Sequence, residues 1–155
     1  MVFIRTFEKD NGAIRVIHDY CLVPAVHQGK GAIKPVFKES LQQYVNMKAE
    51  KIFVHAGLSG GGYTWARYSF AALHKVEVTT ILTAAEKKLS GGDFAVVKSI
   101  YDTYYRNFPS GEAFPMDLWA ALDFMKEVLR GSDWHGVIDL KNSEQLRNFS
   151  DYVSR

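Results

Sequence analysis

Among the residues able to do chemistry, the run Gln28-Gly29-Lys30-Gly31-Ala32 has the most informative setting. It follows a predicted strand and opens a predicted helix. Backbone N–H groups at a helix start lack acceptors within the helix, and the helix dipole adds positive potential there. The glycines let a ligand approach the backbone, and Lys30 brings a positive charge. A phosphate is the ligand that such a turn suits. Glycine at a strand-to-helix turn also serves simply to make the turn, so the run alone does not decide.

Other groups carry weaker signals. Asp19 on the preceding strand is a candidate general base, but Arg15 lies two residues away on the same face and a salt bridge between them is the favoured reading. His18 and His55 read as hydrogen-bonded core or edge histidines, and Cys21 as a small core residue. Tyr101, Tyr104, Tyr105 and Phe108 read as core, and Trp134-His135 as the packed opening of a strand. No His, Cys or carboxylate spacing suggests a metal site, and no Ser-His-Asp arrangement is recognisable.

The elements that position these residues follow from local signals. Residues 2–7 and 13–23 are rich in β-branched and aromatic types, and Asn11-Gly12 between them supplies the positive φ angles of a hairpin turn. Alternation puts Arg15, Ile17, Asp19 and Cys21 on one face of the second strand and Val16, His18, Tyr20 and Leu22 on the other, with apolar residues on both, which marks a central strand. A helix follows, with Ile33, Val36, Phe37, Leu41, Tyr44, Val45 and Met47 as its apolar stripe. Residues 51–56 form a buried strand, and the order strand, helix, strand implies a crossover onto a parallel neighbour. Gly57–Gly62 is a loop and 63–70 a short helix. Residues 71–90 read either as strand then helix or as helix throughout. Residues 92–107 are a helix capped by Asp93, with Val96, Val97, Ile100 and Tyr104 as its stripe. Residues 116–129 are a helix striped by Leu118, Leu122, Met125 and Leu129. A strand at 134–140 and a helix capped by Asn142 or Ser143 complete the chain.

The stretch from Leu22 to Phe70 resembles the core of the GNAT family of acetyl-coenzyme A-dependent N-acetyltransferases. Gln28 and Gly31 match the first and fourth positions of its Arg/Gln-x-x-Gly-x-Gly/Ala motif, and the spacing through the helix to Lys51-Ile52 is similar. Gly62 to Phe70 looks like the family's next short helix, which often ends in Tyr-x-x-x-Gly-Phe. The resemblance implies an α/β (α+β) fold: a GNAT-like mixed sheet with a strand-helix-strand core at 13–70, a shortened amino-terminal part, and a helical extension over 71–155 with a final strand and helix. It implies acetyl-CoA as cofactor. Backbone groups of Leu22 and Val23 would bond the pantetheine arm, and amides of Gln28, Gly29, Lys30, Gly31, Ala32 and Ile33 would cradle the pyrophosphate. An amine acceptor of unknown identity would attack directly, with Asp19 as candidate base. Trp65 stands in the place of the family's usual tyrosine acid, and an indole N–H does not serve as one. Tyr63 and Tyr68 are the candidate substitutes, and a catalytically inactive scaffold serving as a binding or protein-interaction module is the alternative. Ile33 also replaces the motif's last Gly/Ala.

Composition fits one globular domain over the 155 residues, with 47% apolar and 23% charged residues. A formal net charge of +2, with scattered basic residues, gives no reason to propose nucleic acid or a membrane surface as partner. One cysteine, and no apolar amino-terminal stretch, lead to the expectation of a cytoplasmic protein.

Overall fold

A computed structural model describes residues 1–57, 60–111 and 113–155. Two of the residues expected in the Gly57–Gly62 loop, 58 and 59, lie outside those described. Among the described residues, six strands form a mixed sheet in the order β1-β2-β3-β6-β4-β5, accompanied by seven α-helices. This agrees with the mixed α/β expectation. The chain divides into two units, Met1–Val54 with Ile138–Arg155, and His55–Val137.

The first unit starts with the hairpin of β1 (Val2–Asp10) and β2 (Ala13–Leu22). Asn11 and Gly12 both take positive φ, 47° and 84°, the pair a two-residue turn needs to match the strand twist. Thirteen residues of α1 (Lys34–Asn46) lead into β3 (Ala49–His55), which pairs parallel with β2 as the crossover rule requires. α7 (Ser143–Ser154) packs on α1. Its cap is Asn142, whose side chain accepts from the amides of Glu144 and Gln145.

The core of this unit is built on Val16, Phe37, Leu41, Tyr44, Ile52, Phe149 and Val153. His18 is buried in it. It shares a 3.0 Å hydrogen bond with the Tyr44 hydroxyl and meets Phe3 edge-on at 4.8 Å. Arg5 donates to the same hydroxyl at 3.1 Å. Burial first, and the Arg5 charge second, hold the His18 imidazole down at about 3, so it is neutral.

The strict alternation expected along β2 fails after His18. Ile4 faces Tyr20 while Arg5 faces His18, so Asp19 is an extra residue in the ladder, a β-bulge. Beyond it Tyr20 and Leu22 are 37% and 46% exposed. The α1 stripe is also narrower than expected, because Val45 and Met47 are exposed near the last turn.

The second unit contains α2 (Gly61–Arg67), β4 (Ala71–Ala72), α3 (Lys75–Lys88), α4 (Gly91–Asn107), β5 (Phe114–Pro115), α5 (Asp117–Ala120), α6 (Lys126–Arg130) and most of β6 (His135–Asp139). Residues 71–90 are thus strand then helix, and the extension holds more than one strand. α4 is capped by Ser90, not Asp93. The Asp93 amide donates to Ser90 Oγ at 3.2 Å, which puts Asp93 in the first turn instead. Val96 of its expected stripe is exposed, as is Phe108 of the aromatic group read as core.

The single helix expected over 116–129 is broken into α5, a 3-10 turn at Asp123–Met125 and α6. Leu122 leaves helical geometry, with φ −89° and ψ 116°. Met116, Trp119, Met125 and Leu129 are fully buried while Leu118 is exposed. The Trp119 indole donates to the Val97 carbonyl at 3.2 Å, so tertiary burial of large side chains overrides the helical period here.

Candidate functional site

Among the described residues, two groupings are able to do chemistry, one in each unit. The first is the end of β2 with the turn before α1. The β2/β3 ladder runs from Ile14 opposite Ala49 to His18 opposite Val54 and stops there. β2 continues to Leu22, paired with β1 on its other edge. The two strands were expected to part at about Val23, and the pairing ends five residues earlier, at the bulge. Among the described residues, the β3-facing edge of Asp19 to Leu22 has no strand partner.

The chain then passes through a 3-10 turn at Ala25–His27 into Gln28–Ile33. Gly29 and Gly31 take φ of 72° and 71°, a conformation that L side chains resist, so the local fold favours glycine at both positions. Lys34 donates to the Gly31 carbonyl at 2.9 Å, and the next amide with a helical acceptor is Phe37, bonded to Ile33. Among the described residues none accepts from the amides of Gly29, Gly31, Ala32 or Ile33. Lys30 and Ala32 are exposed, whereas the Ile33 side chain is buried. Gln28 is turned back on its own chain, with its side-chain amide donating to the Val23 carbonyl at 2.8 Å.

Asp19 is exposed and accepts from Thr6 Oγ1 at 2.8 Å. The ion pair expected between Asp19 and Arg15 does not form. Arg15 pairs with Asp10 at 3.3 Å, while the Asp19 carboxylate is taken up by Thr6 of β1. Cys21 is half-buried, and burial pushes its thiol up, away from the reactive thiolate. The candidate acids lie in the other unit. Tyr63 on α2 is half-buried, with the Arg67 guanidinium 5.6 Å and the Lys126 ammonium 5.8 Å from its ring centre. Tyr68 and Trp65 are buried, and the Trp65 ring meets Phe70 at 5.2 Å.

The second grouping was missed by sequence reasoning. The Ala56 amide donates to the Trp134 carbonyl at 2.8 Å, which sets His55 beside His135. Their rings stack at 4.4 Å, 6° from parallel. β4 pairs antiparallel with β6, and the Leu73 amide donates to the His135 carbonyl at 2.9 Å, which brings in His74. The His74 ring lies 5.7 Å from His135 at 61°. His74 is the N-cap residue of α3, and Glu77 follows in its first turn. Glu77 Oε1 accepts from His135 Nδ1 and Oε2 from the His135 backbone amide, both at 2.7 Å. His55 Nε2 donates to Asp133 Oδ1 at 2.6 Å. A Cβ on Gly57 would lie 2.5 Å from Asp133 Oδ2 and 2.9 Å from His55 Nε2, so that pair uses the space glycine leaves.

Trp134 is fully buried as expected of a packed strand opening, but His135 is exposed and belongs to this cluster. The isolated signals were a His-x-x-Glu spacing at a helix start and a histidine at the opening or close of two strands. None of them is specific without the strand register.

A groove of about 410 Å³ between α1 and α7 in the first unit is lined by residues such as Lys38, Gln42, Ser150 and Arg147. No carboxylate, histidine or cysteine lines it, so it offers no acid–base or ligand chemistry comparable to the two groupings. Comparison with protein-family models, curated proteins and solved structures yields no match to this chain.

Proposed function

We propose that this chain binds a coenzyme A thioester, acetyl-CoA first among them, and is an N-acetyltransferase-like protein. The observation that carries the reading is the end of the β2/β3 ladder at His18 and Val54, beside a bulge at Asp19, while β2 runs on to Leu22. A strand edge left open in this way pairs with an extended amide-bearing ligand as with an added strand. Such a ligand would continue toward the amides of Gly29, Gly31, Ala32 and Ile33, whose free N–H groups suit a pyrophosphate. Ser69 adds support. It occupies the glycine position of the Tyr-x-x-x-Gly-Phe pattern and holds φ of 66°, the conformation that favours glycine there.

In this reading the acceptor amine attacks the thioester carbonyl and the C–S bond breaks. The amine proton leaves to a base, and the departing thiolate takes one from an acid. Asp19 is exposed and a candidate base. Of the two tyrosines, Tyr68 is buried and Tyr63 half-buried, so Tyr63 is the more accessible candidate acid.

The inactive scaffold is the second reading. It is favoured by Trp65, whose buried indole stands where the acid belongs. Millimolar coenzyme A tests the first reading through the melting temperature. Ligand at about a hundred times its dissociation constant adds roughly 2.7 kcal/mol. Ala32→Glu, at an exposed site, puts a carboxylate against the same amides and should remove the shift. Gly31→Glu is the less clean variant, since a side chain at φ 71° is strained by itself. An unmoved melting curve for the unmodified protein removes the cofactor site. Binding without acetylation of any amine establishes the scaffold.

A further inference from the structure

We propose that His74, Glu77 and His135 form a binding site for one divalent transition-metal ion of the zinc type. The three side chains offer ligand atoms that all lie within 4.8 Å of one another. On a tetrahedral ion with bonds of about 2 Å, neighbouring ligand atoms sit roughly 3.3 Å apart, so the ion takes the place of the proton between His135 Nδ1 and Glu77 Oε1, which part slightly from 2.7 Å while the set as a whole draws in. Two imidazoles with one carboxylate suit zinc, cobalt, nickel or copper better than calcium or magnesium, which take oxygen ligands.

The backbone already holds these groups together. His74 and Glu77 are three residues apart at the start of α3 and so share a face. The β4/β6 ladder brings His135 alongside. The Glu77 carboxylate is clamped by two N–H groups of one residue, which limits how far either side chain drifts.

Surroundings favour a cation as well. Glu77 and Asp133 are both paired with histidine, and among the described residues no Lys or Arg forms an ion pair with either. Two carboxylates thus face three imidazoles with no permanently charged cation between them. A bound ion supplies that charge. His55 stacks on the outer ring of the group and is itself pinned by Asp133, so it positions His135 without needing to ligate. His74 and His135 are exposed, which leaves room for a water or substrate as the fourth ligand, the arrangement of catalytic rather than structural zinc.

The test uses full-length protein without a histidine tag, stripped by chelator and titrated with Co²⁺ and Zn²⁺. The expected result is one ion per chain, a visible Co²⁺ absorption band, and a raised melting temperature in the second unit's transition. His74→Ala and Glu77→Gln should each weaken binding by about a hundredfold or more, since even partners behind the ligands are worth ten- to a hundredfold. Circular dichroism verifies that each variant is folded, and His74→Ala alters an exposed side chain. His27→Ala, at an exposed histidine of the first unit, should leave affinity and stoichiometry unchanged. The proposal is overturned by absence of binding at millimolar metal, by equal weakening in His27→Ala, or by folded His74→Ala and Glu77→Gln proteins that bind as tightly as the parent.

Discussion

The side-chain amide of Gln28 donates to the carbonyl oxygen of Val23 at 2.8 Å, joining the end of β2 to the turn that opens α1. The amides of Gln28 and Lys30 donate to the Ala25 and His27 carbonyls, so of the six amides expected to cradle a pyrophosphate only those of Gly29, Gly31, Ala32 and Ile33 are without an acceptor among the described residues. The Gln28–Val23 bond also ties two positions that the GNAT resemblance assigns to the same cofactor.

Gln28→Ala removes this tie. The bond is exposed, so the expected loss of stability is about 0.5–1 kcal/mol. Its larger effect should be on amide hydrogen exchange, which should quicken from Gly29 to Ile33 while the β1/β2 hairpin stays unchanged. Unaltered exchange in the turn would show that Gln28 does not hold it.

Acid should weaken the protein through His18. Its imidazole is held at about 3 in the folded state, below the ordinary value of 6.5. Between those values the unfolded chain binds the extra proton, so stability is intact above about pH 6.5 and falls as pH drops toward 3. The slope contributed is at most about 1.4 kcal/mol for each pH unit. Urea denaturation of the parent and of His18→Gln at pH 7 and pH 5 checks this. The parent should lose more between the two than the variant, and parallel losses would assign the acid sensitivity to other groups.

A methyl group at Gly62 should be costly. A Cβ there would lie 2.2 Å from Ser132 Oγ and 2.3 Å from the Leu129 carbonyl oxygen, and the second is backbone that cannot swing aside. Gly62→Ala forces α2 away from α6, at about 1–3 kcal/mol by analogy with overpacked cores. A melting temperature lower by several degrees is the expected readout, whereas Gly92→Ala, with open space around its Cβ, should leave it within a degree or so.

Short-range signals carried the first half of the molecule. Asn11-Gly12 specified its turn because only residues tolerant of positive φ fit there, and the 3.6-residue period of Ile33 to Tyr44 specified the buried face of α1. Asn142 was legible, with Ser143, as one of two candidate caps for the same reason: the residue that satisfies a helix start is its chain neighbour. The bulge at Asp19 was not legible, since it arises from how β1 meets β2 and not from any residue type in β2 alone.

Burial also overrode period where large side chains competed for space. Trp119 and Met125 are buried at the expense of a continuous helix, and Leu118 is left outside. The histidine cluster shows the limit most plainly. His55, His74 and His135 are far apart in sequence, and no local spacing relates them. They meet because backbone pairing at Ala56 with Trp134 and at Leu73 with His135 fixes three chain segments side by side. The amino-acid sequence by itself determined where the first hairpin turns and which segments of the first half coil and extend. Only the tertiary structure decided which side chains become neighbours, because strand register is a property of two segments at once.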